Sequence, residues 1–194
     1  MPVVANPGIV TDENGISRCS WSASSAEYRR YHDEEWGVPL HGDRPLFEKL
    51  SLEGFQAGLS WITILNRRPT FRLAFANFEI NTVAKFDDAD VTRLMLDAGI
   101  IRNRAKIVAT IANARRTQDL IADLPGALDE LLWSFTPTGN RARPVRLSDT
   151  AVITAESTAL RGLGYRFVGP TTMHALMQAT GMVDDHLVGC WRAD

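Results

Sequence analysis

The run Leu94-Met95-Leu96-Asp97-Ala98-Gly99-Ile100-Ile101-Arg102-Asn103-Arg104-Ala105-Lys106-Ile107 joins two apolar-periodic segments through a tight turn. Before it, Asp87 or Asp88 caps a helical pattern over 91–98. After it, Asn103 caps a long helix carrying Ile107, Val108, Ile111 and Ala112. Gly99 supplies the turn, and the second helix opens with free N–H groups that attract an anion. Residues 99–118 contain no acid but include Arg102, Arg104, Lys106, Arg115 and Arg116. On a chain of formal net charge −2 that concentration is informative. An ordinary αα-hairpin with a solvated basic helix satisfies the same pattern.

Outward from the hairpin the periodicity stays helical. A short helix is expected over 26–32. A longer one starts at Asp43, read as its N-cap, with Pro45 in the first turn. Its apolar positions are Leu46, Phe47, Leu50, Gly54 and Ala57. Glu53 lies three residues after Leu50 and seven after Leu46, so it falls on that apolar face. A carboxylate there must find donors or take up a proton. Gly58 fits a helix stop, Ser60 the next N-cap, and Trp61 the opening of another helix, which Pro69 breaks or kinks. Asn81 starts a short helix through Phe86. Pro125-Gly126 punctuates, and Leu128, Leu131, Leu132 and Trp133 form an amphipathic piece. Residues 136–149 read as a surface loop. Thr154 caps a helix that ends at Gly162 or Gly164, and Pro170 or Thr171 opens a last helix that stops at Gly181. Alternating strand patterns are nearly absent. The fold class is therefore all-α, built from short helices and short turns.

A chain of 194 residues suits one domain or two small lobes. Its near-neutral charge argues against a non-specific nucleic-acid coat while leaving room for a local basic patch. No apolar run reaches membrane-span length, so no membrane association is expected. Residues 1–17 show no periodicity and no signal-peptide pattern, and read as a flexible tail. With only two cysteines, the default is a cytoplasmic protein with reduced thiols.

Those cysteines sit near the chain ends, each beside a histidine: Cys19 with His32, and His186 with Cys190. His186 and Cys190 are four apart and share a face if the backbone there is helical. Two nitrogens and two sulfurs suit a closed tetrahedral zinc site. A Cys19–Cys190 disulfide or two unrelated buried thiols are the alternatives.

The turn at Gly99 resembles a helix-hairpin-helix, a motif that grips DNA phosphate through backbone N–H groups. Gly99, Ile100 and Ala105 match it, and Ile101 replaces a second glycine common there. Asn103 stands where lyase-type members carry a nucleophilic lysine, which argues against Schiff-base chemistry. Neither Asp119 nor Asp123 matches the catalytic aspartate of many members. The whole is similar to the 3-methyladenine DNA glycosylase I family. The resemblance is carried by Cys19-Ser20-Trp21, Tyr31-His32-Asp33-Glu34-Glu35-Trp36-Gly37-Val38-Pro39, Leu52-Glu53-Gly54, Ala57-Gly58-Leu59-Ser60-Trp61-Ile62-Thr63, Asp97-Ala98-Gly99-Ile100-Ile101-Arg102, Trp133-Ser134-Phe135, Phe167-Val168-Gly169 and His186-Leu187-Val188-Gly189-Cys190.

The resemblance implies a helix-hairpin-helix glycosylase fold. Residues 18–194 would form a single glycosylase domain, with two helical lobes and the base pocket between them. A structural zinc on Cys19, His32, His186 and Cys190 would join the terminal segments. It implies a base pocket of Glu53, Trp61, Tyr31, Trp21 and Trp36, with Glu53 also the catalytic candidate. DNA contacts would come from Gly99, Ile100, Ile101, Arg102 and Arg104. Leu59 is either an apolar wedge filling the vacated base stack or a core leucine at a helix junction. The implied reaction is hydrolysis of the N-glycosidic bond of 3-methyladenine in alkylated double-stranded DNA, by a monomer. Two rivals remain: a DNA-binding module without chemistry, and a zinc hydrolase acting on nucleotides. The first has no need of an inward carboxylate ringed by tryptophans, and the second needs an open coordination position.

Overall fold

The structure is a computed structural model, and it describes residues 8–137 and 150–193. The chain is mostly helical: α1 (Ala26–Glu34), α2 (Asp43–Gln56), α3 (Trp61–Ala74), α4 (Ile80–Val83), α5 (Asp88–Leu96), α6 (Arg104–Ile121), α7 (Ala127–Trp133), α8 (Thr150–Gly162) and α9 (Pro170–Ala179). The all-α expectation needs one correction. Strands β1 (Ile9–Thr11) and β2 (Ser17–Cys19) pair antiparallel, with Ile9 opposite Cys19 and Thr11 opposite Ser17. Asp12 Oδ1 accepts from the N–H groups of Asn14 and Ile16, both at 3.0 Å, which builds the turn between them. The expected flexible tail is therefore ordered over these strands. Its first seven residues, and residues 138–149 of the loop expected over 136–149, lie outside the described residues.

Helix α2 is the central element and packs against α3, α6, α7 and α9. Phe47, Phe55, Phe71, Phe75 and Phe78 are fully buried around it, with Phe55 and Phe71 centroids 4.7 Å apart. Helix α3 runs on through Pro69, which is exposed. Asp43 is not the N-cap of α2; Gly42 holds that position. Instead the Asp43 carboxylate accepts from the N–H groups of Gly126 (2.7 Å), Leu128 (3.0 Å) and Asp129 (3.1 Å), so it caps α7 across the fold. Helix α8 starts four residues before Thr154. Among the described residues, no helix is long and apolar enough to cross a membrane.

Candidate base pocket and metal cluster

Helix α2 ends at Gln56, and Gly58 just beyond it, with a φ of +81°, lets the chain turn sharply into α3. That corner sets Glu53 and Trp61 around one cavity of about 190 Å³. Tyr31 on α1, Trp21 and Trp36 complete its wall, so all five expected pocket residues meet. Tyr31 and Trp61 have centroids 5.6 Å apart, and Trp21 and Trp36 5.1 Å. Glu53 is only 3% exposed. Its donor is Lys49, one turn earlier, with Nζ 3.4 Å from Oε1. Burial pushes the Glu53 carboxyl above the usual range, and Lys49 offsets only part of that push. The same ammonium donates to Tyr31 Oη at 2.7 Å and stands 4.0 Å from the centroid of the Trp61 ring. Trp61 Nε1 is buried with no hydrogen-bond partner among the described residues, an open donor at the wall.

A larger cavity of about 330 Å³, with Lys49 in its wall, shares Tyr31 and Ala179 with this one. Three arginines line it, but their charges are spent within the protein. Arg68 Nη2 donates to Glu35 at 2.8 Å, Arg72 Nη2 reaches Glu48 at 2.7 Å, and Arg44 lies 3.7 Å from Glu48. The smaller cavity therefore has the aromatic faces and the available polar groups.

Leu59 is 40% exposed on the corner before α3, so it is not a core leucine. In the hairpin between α5 and α6, Asn103 caps α6 by accepting from Lys106 N–H at 3.1 Å. Arg102 and Arg104 are exposed, Ile101 is half-buried and Ile100 is buried. Gly99 supplies the turn without a left-handed backbone angle, since its φ is not positive. Space is what it needs: a β-carbon would meet Thr70 Cβ and Asp97 Oδ1 at 3.0 Å. The basic run is also smaller than its sequence suggests. Lys106 is buried and donates to the carbonyls of Phe55 (2.7 Å) and Ala57 (2.6 Å) at the end of α2. Arg115 donates to the carbonyls of Ala84 and Phe86.

At the other side of Trp21 and Trp36, the ligand atoms of Cys19, His32 and Cys190 lie within 4.8 Å of one another, and all three residues are buried. Cys190 Sγ is 3.4 Å from His32 Nε2. The other His32 nitrogen, Nδ1, is 2.8 Å from Asp33 Oδ1. The segment holding His186 and Cys190 is not helical, so a shared helical face is not what brings them in. His186 falls outside the three-residue cluster, yet its ring centroid is 5.1 Å from that of His32. Its Nδ1 is 2.8 Å from Asp184 Oδ1. Gly37 makes this approach possible: a β-carbon there would sit 2.6 Å from His186 Cε1. Burial pushes the Cys19 thiol up to about 12, with Cys190 adding to the effect, and lowers His32.

Lys49 was not anticipated from sequence, although its place four residues before Glu53 puts both on one helix face. Tyr28, which lines the cavity and accepts from Ile62 N–H at 2.9 Å, and Gln178 on α9 were likewise not anticipated. Their signal is tertiary.

The model of the methyladenine glycosylase family matches residues 21–193. DNA-3-methyladenine glycosylase 1 of Escherichia coli (strain K12) is 43% identical over 180 residues, which is 90% of this chain and 96% of that protein. A crystal structure of 3-methyladenine DNA glycosylase I superposes with a TM-score of 0.84 at 40% identity, covering 91% of this chain and all of that one. The Staphylococcus aureus enzyme, whose structure describes 3-methyladenine recognition, gives 0.80 at 32% identity over 90% of this chain and 95% of its own. A buried carboxylate lining an aromatic pocket is thus set in a sequence and backbone shared over about nine-tenths of the chain with these enzymes, and the chain belongs to the methyladenine glycosylase family.

Proposed function

We propose that the protein is a monofunctional DNA glycosylase that hydrolyses the N-glycosidic bond of 3-methyladenine in alkylated duplex DNA, leaving an abasic site. The observation that carries this reading is Glu53, a nearly inaccessible carboxylate facing a cavity walled by Trp21, Tyr31, Trp36 and Trp61. The target nucleotide leaves the stack to enter such a pocket. Methylation at N3 makes the base cationic in the nucleoside and weakens the bond, so a rigid pocket that places the base and a water near the sugar suffices. Glu53 accepts from the purine edge. One face of the Trp61 indole is turned to Lys49, which leaves the opposite face for stacking. Outside the pocket, Leu59 fills the vacated stack. The N–H groups behind Gly99, Ile100 and Ile101 hold a phosphate, with Arg102 and Arg104 beside them. The protein works as a cytoplasmic monomer, with the pocket between two helical lobes of one domain.

Cys19, His32 and Cys190, with His186 as fourth ligand, would hold a structural zinc. The donor chemistry fits: both histidines have Nδ1 held by a carboxylate, which leaves Nε2 for a metal. The buried Cys19 thiol resists ionisation on its own, and a cation would reverse that. Zinc held there would supply folding energy, as a closed four-ligand site does. The purified protein should carry about one zinc per chain. Cys190→Ser and His32→Ala should lower metal content and melting temperature together, and full zinc retention in both would remove the assignment.

Incubation with alkylated duplex DNA, followed by analysis of released bases, tests the activity. Release of 3-methyladenine with intact strands is the expected result. Binding without release would leave only a DNA-binding module.

A further inference from the structure

Lys49 is the one charged group within ion-pair distance of Glu53 among the described residues. It is buried, and the pocket reading given above does not use it. An ammonium placed 2.7 Å from Tyr31 Oη can only donate, so the phenol oxygen accepts there. The single Tyr31 O–H is then left to point elsewhere. With Glu53 Oε1 at 3.4 Å, the ammonium also opposes the cost of keeping a carboxylate charged in the interior.

We infer that Lys49 is a positioning residue of the base pocket: it keeps Glu53 an ionised acceptor and commits the Tyr31 hydroxyl to donate into the cavity. Tyr31 and Glu53 both line that cavity, and Lys49 reaches it only through them and Trp61. The pattern offered to a purine is therefore one acceptor and one donor of fixed sense. A pocket without the ammonium presents a carboxylic acid and a phenol whose roles can exchange. The inference rests on the glycosylase reading and narrows it to recognition of the base edge.

Other charges around the pair do not replace Lys49. From the end of α1, Glu35 faces it but is bonded to Arg30 and to Arg68 of α3, each at 2.8 Å. From α6, Lys106 is committed to the carbonyls of Phe55 and Ala57. Helix α9 presents Gln178 and Ala179 to the cavity, neither of them titratable. Glu53 is pushed up by burial and held down by Lys49 alone, so loss of the ammonium leaves only the upward push.

The test is binding of free 3-methyladenine as a function of pH by wild type, Lys49→Met and Lys49→Arg. The base's own protonation is common to all three and cancels in the comparison. Binding by wild type should fail on the acid side as Glu53 takes up a proton. In Lys49→Met that limb should move up by about one pH unit or more, with affinity at pH 7 reduced about tenfold. Lys49→Arg keeps the charge and should keep the limb near its wild-type position even if affinity drops. An unshifted limb in a folded Lys49→Met overturns the inference. If Lys49→Met does not fold, carbon-13 titration of Glu53 in the wild type decides: a carboxylate at pH 7 supports the inference, and a neutral carboxyl overturns it. Wild type that binds no 3-methyladenine at any pH would instead remove the glycosylase reading.

Discussion

On α2, Glu53 is 3% exposed, has Lys49 Nζ at 3.4 Å and opens onto a cavity. On α8, Glu156 is 0% exposed, and neither of its carboxyl oxygens has a hydrogen-bond partner among the described residues. Burial alone pushes Glu156 up to about 8, so at neutral pH it is held as the acid. Two helices have driven a carboxylate inward, and burial pushes both carboxyls up. Only Glu53 has an ammonium beside it to offset that push and a cavity in front of it. Burial by itself is therefore a poor guide to function. A partner that offsets the burial penalty, beside a space for a ligand, is what sets Glu53 apart from Glu156.

The sharpest way to break this contrast is to neutralise each acid in turn. Glu53→Gln should stay folded while excision drops roughly 30- to 1,000-fold, about 2–4 kcal/mol for one charge-assisted bond replaced by a mismatched donor. Binding of free 3-methyladenine should fall with it, because the contact precedes bond cleavage. Normal binding with poor excision would make Glu53 a chemical catalyst instead. Glu156→Gln should leave both unchanged.

The second effect is on stability. A carboxyl held at about 8 in the folded state and near 4.5 when unfolded favours folding fully below about 4.5. That contribution is lost as pH rises toward 8. Glu156→Leu should therefore flatten the pH dependence of unfolding between those values and raise stability at pH 7 by on the order of 2–3 kcal/mol. Denaturant melts across the window measure it, and an unchanged slope would show that Glu156 is better solvated than its burial implies.

Asp43 supplies the smallest effect and a third way of housing a carboxylate, on backbone N–H groups. Asp43→Ala should cost about 1 kcal/mol through the lost cap of α7, with excision per folded molecule unaffected. A large loss of excision would mean that α7 reaches the pocket more directly than its position indicates.

The sequence made the helical periodicity, the hairpin and the inward turn of Glu53 readable, because each rests on local spacing; that Cys19, His32 and Cys190 come together across the chain was implied by the family resemblance. The environment of Glu156 was not readable. A helix starting at Thr154 would leave Glu156 in its first turn, where a negative charge is favourable. The start at Thr150 moves it onto the face of Ile153 and Leu160. Lys106 and Arg115 read as surface charges, since nothing local reveals that carbonyls from α2 and from the end of α4 wait for them. The three-residue strand β1 is too short for any period to register, and its partner lies across a turn.

The meeting of the chain ends has a consequence for how the molecule comes together and comes apart. Trp191 N–H donates to Ser17 carbonyl at 2.8 Å, and Cys190 meets His32 across 158 residues of sequence. Closing so long a loop costs only about 0.6 kcal/mol more than closing one half its length, so the clasp is thermodynamically cheap. It is kinetically late, since the helices between can form and dock before the ends find each other. Unfolding should run the other way, with the clasp opening first and the phenylalanine core persisting. Trp21 and Trp36 stand against the histidines of that clasp, with Trp36 centred 4.6 Å from His186. Fraying at the termini would thus loosen the aromatic wall of the pocket while most of the helical scaffold is still intact.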